Sequence, residues 1–392
     1  MKKSHIHHKP IEPYLFTKQQ KSLYSLEKKT LTFYIRKGLK TLYILFILSL
    51  TSSYMPFDLD LSLEQKLGQF FCISYEGQSL KKNPTLKLLT KQLAGGVLLF
   101  GDNISTKEAL KENIDHLKKT QTIAPFIAID QEGGYVQRIQ FSQAYPSAKE
   151  IARLPESVQK RIYHNLSAEL ASLGITVNFG LVLDQAKEPH FMAKDERVFG
   201  KQHRIIQQAA KHSKERHKAH GVLLVAKHFP NLGLATKDPH QSLPKLGETW
   251  RDDALDSFQE ILKENPLSMG LMSTHLQANQ FGKMPITYSK KATHFIRKHL
   301  GFQGLLVSDD LSMSALDPLP ITKRAQRAIL AGYDMILFNQ PKALKEGALE
   351  KTILLLIEDI KAGNLSRIHI ETRVRKILKI RRWLQAQSLT AR

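Results

Sequence analysis

The chain has 392 residues, long enough for one large barrel or for two ordinary domains. Apolar residues make up 42% and charged residues 24%, which excludes disorder throughout, and 21 Gly and 16 Pro are too few for a collagen-like or low-complexity chain. The single cysteine, Cys72, excludes an internal disulfide and a Cys-rich zinc site, while 58 Lys/Arg against 36 Asp/Glu give a net charge of +22.

The first 55 residues hold ten Lys/Arg and two acids, so +8 of that charge lies there. Thr41 to Phe57 carries no charge, and Leu42–Leu50 is a nine-residue apolar run of signal-peptide length. The small residues Thr51 and Ser53 suit a signal peptidase, and 17 uncharged residues suffice for a short membrane span. Basic residues ahead of the run would keep the leader cytoplasmic and send the rest across, giving an exported or inner-membrane-anchored protein. No cysteine directly follows the run, so a lipoprotein anchor is excluded. A cytoplasmic protein with a buried core helix here, or a start of translation placed too early, is the alternative reading.

From Asp58 onward, strand-length apolar runs alternate with helical patterns. The runs are Phe70–Ser74, Gly95–Phe100, Pro125–Asp130, Thr176–Asp184, Gly221–His228, Ser268–His275, Gly304–Asp309 and Tyr333–Phe338. They are continuous rather than alternating, as strands buried on both faces must be. Helices are predicted over Ser105–Lys119, Ala148–Leu173, Gln202–His220, Asp252–Lys263 and Lys290–His299. Eight such units predict one α/β domain over residues 58–392, a TIM-like (β/α)8 barrel with a helical tail; an open doubly wound sheet is the alternative.

In such barrels chemistry sits where strands end. Polar residues collect at five predicted strand ends: Asp130 to Gly134, Asn178 with Asp184, Lys227-His228, Thr274-His275 and Ser308 to Asp310. Around the first, Asp130 and Arg138 suit a polyhydroxylated ligand or form an ion pair that closes the loop. After Lys227-His228 comes Asp238-Pro239-His240, where a carboxylate two residues from a histidine can orient an acid/base imidazole. Asp309 and Asp310 are adjacent, so only one faces the barrel axis. His-x-x-x-His, Gly-x-Gly-x-x-Gly, Walker and Gly-x-Ser-x-Gly patterns are absent, which argues against a metal centre, nucleotide chemistry and an α/β serine hydrolase. The basic balance invites nucleic acid, but no helix-turn-helix, zinc-finger or RNA-binding aromatic pattern accompanies it, and no nucleic-acid partner is expected.

The chain resembles glycoside hydrolase family 3, in its β-N-acetylglucosaminidase branch, which includes bacterial peptidoglycan-recycling enzymes. The resemblance rests on Ala94–Gly101, Asp130–Arg138, Val177–Phe179, Arg197–Gly200, Gly221–Pro230, Asp238–His240, Gly301–Met313 and Ala331–Met335, in the family's order, with a closing helix near Arg367–Leu378. It implies a TIM-like barrel, a retaining mechanism, no cofactor and an amino-sugar or muropeptide substrate, with a monomer expected. It implies Asp309 as nucleophile and His240 as acid/base supported by Asp238. It places Asp130, Arg138, Arg197, Lys227 and His228 around the terminal N-acetylglucosamine. Retention needs a carboxylate beneath the anomeric carbon and a proton donor beside the leaving oxygen; this branch resembles an exception in using histidine as the donor.

The chain departs from the family pattern in places. Asn231-Leu232-Gly233 stands where Gly-His-Gly is usual, Leu234 where Asp is frequent, Pro239 where Ser is frequent and Tyr135 where Arg is common. Competing readings are a phosphorolytic relative, a non-catalytic muropeptide-binding protein and a basic nucleic-acid binder.

Overall fold

Backbone hydrogen bonds join eight short parallel strands into a closed ring. The computed structural model describes residues 61–390 apart from 82, 187, 201, 236, 247–254 and 263–266. The expected leader at 1–57, with its apolar segment at 41–57, lies outside the described residues. Among the described residues no helix is long and apolar enough to cross a membrane.

In chain order the strands are β1 (Phe71–Ile73), β2 (Gly96–Leu99), β3 (Phe126–Ile129), β4 (Val177–Val182), β5 (Leu223–Phe229), β6 (Lys245–Leu246), β7 (Met269–Ser273), β8 (Gln277–Ala278), β9 (Leu305–Asp310) and β10 (Met335–Phe338). The barrel order is β1-β10-β9-β7-β5-β4-β3-β2, and β6 pairs with β8 outside it. The seam closes in register, with Ile73 opposite both Val97 of β2 and Phe338 of β10. Each of the eight predicted runs is a barrel strand, with ends shifted by at most two residues. Every residue of β1, β2, β3, β5, β7 and β10 is buried, the reason those runs are continuously apolar. The predicted (β/α)8 barrel is therefore the fold.

One predicted helix needs correction. Ala148–Leu173 is two helices, Ala148–Ile151 and Glu156–Leu173. Pro155 separates them: it lacks an N–H, forces Leu154 out of helical geometry, and starts the second helix instead. Ser147 and Glu150 form a capping box on the first piece. The β6/β8 pair was not predicted, because two-residue strands carry no periodicity to read.

The last helix, Arg367–Thr390, fastens the N-terminal end of the barrel. Asp334, buried just before β10, accepts from Arg297 at 2.5 Å, Lys376 at 2.6 Å and the Leu306 N–H at 2.9 Å. Arg381 donates to Gln69 Oε1 at 2.7 Å and to the Gly95 carbonyl, and its guanidinium lies 4.6 Å from the Phe126 ring centroid. Buried charges held by several partners in this way are costly to break singly.

Candidate functional site

Because all eight barrel strands run parallel, their C-terminal ends share one face. Lys227, near the end of β5, is buried there between two carboxylates, 2.8 Å from Asp130 Oδ1 and 2.6 Å from Glu132 Oε1. Arg197 grips Glu132 in two-point fashion, Nε to Oε2 at 3.0 Å and Nη2 to Oε1 at 2.8 Å. Burial would push the Glu132 carboxyl up, but Arg197 and Lys227 outweigh it and hold it at about 2. Burial likewise opposes the Lys227 ammonium, and Asp130 and Glu132 more than offset it, so its pKa stands above the ordinary lysine value. The result is a chain of alternating charges, Asp130–Lys227–Glu132–Arg197.

Asp130 thus pairs with Lys227 and not with Arg138, so the loop-closing ion pair considered above is not formed. The Arg138 N–H donates to Gln131 Oε1 at 2.8 Å, and its guanidinium lies 5.9 Å from the Phe100 ring centroid. Its buried Nε has no hydrogen-bond partner. The loop is a tight hairpin: Glu132 and Gly133 both donate to the Val136 carbonyl, at 2.9 and 3.2 Å. Gly133 has φ +97°, and a Cβ there would lie 2.4 Å from the Pro146 carbonyl, so glycine is required twice over.

His228 is held by Asp184, just beyond β4. Asp184 Oδ2 accepts from His228 Nδ1 at 2.5 Å and from the His228 N–H at 3.1 Å, and Oδ1 accepts from the Leu232 N–H at 2.6 Å. The Lys227–His228 and Phe229–Pro230 peptides are cis.

At the end of β9, Asp309 is buried and its Oδ1 accepts the Asp310 N–H at 2.8 Å. Burial favours its neutral form. His228 and His275, then the Asp310 N–H and Lys227, more than reverse this and keep its pKa below the ordinary aspartate value. His275 is itself fixed from both sides, Nε2 to the Asp310 carbonyl at 2.8 Å and Nδ1 to Thr287 Oγ1 at 2.6 Å. A carbonyl only accepts, so Nε2 carries the proton and Nδ1 accepts from the threonine. Burial lowers the His275 pKa, favouring that neutral form.

Asp310 has a different environment. Its Oδ1 accepts the Ser312 N–H at 2.8 Å and its Oδ2 accepts from Asn339 at 2.7 Å. Burial raises its pKa to about 6. The adjacent carboxyls thus differ sharply, Asp309 ionised and Asp310 harder to ionise. Asp310 makes a local turn; the next helical segment is the short 3-10 turn Ser314–Leu316.

The remaining pair, Asp238 and His240, is more exposed. Asp238 Oδ1 accepts from His240 Nδ1 at 2.8 Å and from the His240 N–H at 2.9 Å. The His240 side chain is 64% exposed and its Nε2 has no partner among the described residues. The Pro239 carbonyl accepts from the Ala315 N–H at 3.0 Å, fastening this loop to the chain that follows Asp309. The altered triplet Asn231-Leu232-Gly233 begins the same loop. Asn231 has φ +154°, a region glycine favours, and its Oδ1 accepts from the Gln185 N–H at 3.1 Å.

Asp130, Lys227 and Arg197 are therefore joined through Glu132, with Arg138 on the same β3 hairpin as Glu132; His228, next to Lys227, is held by Asp184, and Asp309 ends β9 on the same face of the barrel. Asp238 and His240 form a separate exposed pair. Sequence reasoning singled out neither Glu132 nor Asp184 nor His275 as a site residue. Each had one signal, a polar side chain at the end of an apolar run, but their partners are 12 to 95 residues away in sequence. Chemically, the arrangement offers a buried carboxylate, an oriented exposed imidazole, and fixed donors and acceptors for a polyhydroxylated ligand.

The model of the glycosyl hydrolase family 3 N-terminal domain matches residues 62–380. A beta-hexosaminidase of Nitrosospira multiformis is 30% identical over 285 residues, covering 69% of this chain and 80% of that protein. The beta-hexosaminidase of Haemophilus influenzae is 28% identical over 277 residues, covering 68% and 78%. Among solved structures, the beta-N-acetylhexosaminidase of Beutenbergia cavernae matches with TM-score 0.71 and 26% identity, over 84% of this chain and 99% of that one. A family 3 beta-N-acetylglucosaminidase of Paenibacillus sp. shares the fold, with TM-score 0.75 and 24% identity; this chain spans 63% of its length.

Proposed function

The chain belongs to glycosyl hydrolase family 3 and is a glycoside hydrolase, and from that premise we propose that it is a retaining exo-β-N-acetylhexosaminidase that removes terminal β-linked N-acetylglucosamine from peptidoglycan fragments. The observation that carries the reading is Asp309, buried at the end of β9, with the Asp310 N–H on its Oδ1 and its pKa held below the ordinary aspartate value. Such a carboxylate is a nucleophile for an anomeric carbon. The names of the similar proteins support the amino sugar.

In this mechanism Asp309 attacks the anomeric carbon while His240 Nε2 gives its proton to the leaving oxygen. The C–O bond to the leaving group breaks and a glycosyl ester forms on Asp309. His240, now neutral, takes a proton from water, which attacks the same carbon and frees Asp309. Two inversions leave the β configuration. Asp238 orients the imidazole through its Nδ1. Asp130, Arg138, Arg197, Lys227 and His228 hold the sugar hydroxyls and the N-acetyl group, and the ion pairs running through Lys227 and Glu132 preset Asp130, Lys227 and Arg197 before substrate arrives.

The test is product analysis by NMR on a β-N-acetylglucosaminyl muropeptide and on 4-nitrophenyl β-N-acetylglucosaminide, with and without phosphate. The β anomer of free N-acetylglucosamine should appear first. An α anomer would overturn retention, and a sugar 1-phosphate would make the enzyme a phosphorylase. The leader at 1–57 supports export of the barrel across the inner membrane; a reporter fused after Phe57 and active only in the cytosol would overturn that part.

A further inference from the structure

We infer that Asp184 is a positioning residue for the glycosidase reaction, one buried carboxylate that fixes both the His228 imidazole and the root of the loop carrying His240. The inference rests on the reading of the site proposed above.

Asp184 is fully buried and accepts three hydrogen bonds. Two come from His228, through Nδ1 and through its own N–H, so the ring and its backbone are fixed together. A carboxylate on Nδ1 determines which nitrogen carries the proton and leaves Nε2 as the group offered outward. The His228 imidazole is also the foremost of the neighbours that hold the Asp309 pKa below the ordinary aspartate value. Asp184 therefore reaches the nucleophile through one intervening side chain.

The third hydrogen bond runs the other way along the chain. Leu232 N–H, 2.6 Å from Asp184 Oδ1, lies in the segment that leads to Asp238 and His240. The next residue, Gln185, reinforces this grip. Its N–H donates to Asn231 Oδ1 at 3.1 Å. Its carbonyl is so close to Gly233 that a Cβ there would lie 2.3 Å from it. Two residues beyond β4 thus hold three consecutive residues of the β5 loop. The far end of that loop is held separately, by Pro239 on Ala315. The acid/base histidine follows directly on the second anchor, Asp238 lies between the two, and Asp184 is the charged part of the first.

A buried aspartate that only supported the fold would lower the melting temperature and act independently of His228. A positioning role predicts coupling. Asp184→Asn keeps the size but puts an N–H₂ where an acceptor is needed. Its kcat/KM on 4-nitrophenyl β-N-acetylglucosaminide should fall roughly 10²-fold, the range for a group that orients a functional histidine. In a His228→Asn background the same change should cost no more than about threefold further, the signature of residues that act as a unit. The loss should be about tenfold larger on a disaccharide, whose poor leaving group depends on His240, than on the activated aryl glycoside.

The experiment measures kcat and KM for wild type, Asp184→Asn, His228→Asn and the double variant on both substrates, with a melting curve for each. Asp184→Glu, which keeps the charge, serves as the informative variant if Asp184→Asn does not fold; it should lose less activity on the aryl glycoside than on the disaccharide. Losses that multiply across the cycle and are equal on both substrates would overturn the inference, as would wild-type kinetics in Asp184→Asn. An inactive wild type would instead overturn the functional reading itself.

Discussion

The Pro239 carbonyl accepts the Ala315 N–H at 3.0 Å, so the loop that presents His240 is tied to the segment leaving Asp309. The two groups assigned to proton transfer and to nucleophilic attack are thus coupled through one peptide contact. They differ in every other respect. Asp309 is buried in a strand end, whereas His240 is exposed on a loop.

That exposure makes His240 replaceable without harm to the fold. His240→Ala should melt within a degree or two of wild type, because little packing is lost. Turnover of natural substrates should fall roughly 10²–10⁴-fold, the share of general acid/base catalysis. With a 4-nitrophenyl leaving group the glycosylation step needs less protonation and should suffer less. Steady-state and pre-steady-state rates on the two substrates check this.

Asp309 and Asp310 are separable by covalent trapping. A 5-fluoro-N-acetylglucosaminyl substrate analogue should label the peptide containing both, and fragmentation should place the mass on Asp309. Asp309→Ala should lose turnover but retain sugar binding, since the binding groups lie on other strands. A label on Asp310 would contradict the pKa order, in which Asp309 is held low and Asp310 is raised to about 6.

Two buried carboxyls, Asp310 and Glu132, give stability a defined dependence on pH. Asp310, with 3.8 as its reference value and about 6 in the fold, contributes stability fully below its reference value and loses it as pH rises through 6. Melting temperature should therefore fall less between about pH 4 and pH 7 in Asp310→Asn than in wild type. Glu132 has the opposite sign. With 4.5 as reference and about 2 in the fold, its contribution is present above 4.5 and disappears as pH drops toward 2. Glu132→Gln strands Arg197 and leaves Lys227 with Asp130 alone, should cost about 3 kcal/mol in urea denaturation near neutral pH, and should flatten the acid side of the profile.

Asn231 offers a test of backbone strain. At φ +154° a side chain is costly by roughly 1–3 kcal/mol, but the Asn231 amide oxygen recovers part of this from the Gln185 N–H. Its Nδ2 is buried without a partner. Asn231→Ala keeps the strain and loses the hydrogen bond. Asn231→Gly loses the bond but also the strain. The glycine variant should therefore be more stable than the alanine variant by about 1–2 kcal/mol in equilibrium unfolding. Equal stabilities would mean that the conformation is not strained.

The barrel was legible in the sequence because strands buried on both faces must be continuously apolar, and eight such runs alternate with helical patterns. Asp238 with His240, and Asp309 with Asp310, were legible because their partners are one or two residues apart. Glu132 with Arg197, and Asp184 with His228, are 65 and 44 residues apart, and only barrel closure brings them together. A single sequence contains no measure of that proximity. The break at Pro155 is different: the residue was visible, and its missing N–H was sufficient reason to end one helix and begin another.

Closure also has a temporal side. β1 near residue 71 cannot complete its pairing until β10 near residue 335 exists, and Arg381 reaches back 312 residues to Gln69. Early strands must wait on the ribosome with an open edge while most of the chain is still being made. The clasp at Asp334 and Arg381 forms last and secures both ends of the seam at once. Nascent chains released before residue 376 should thus remain protease-sensitive and prone to edge pairing, even though every residue assigned to catalysis has already been synthesised.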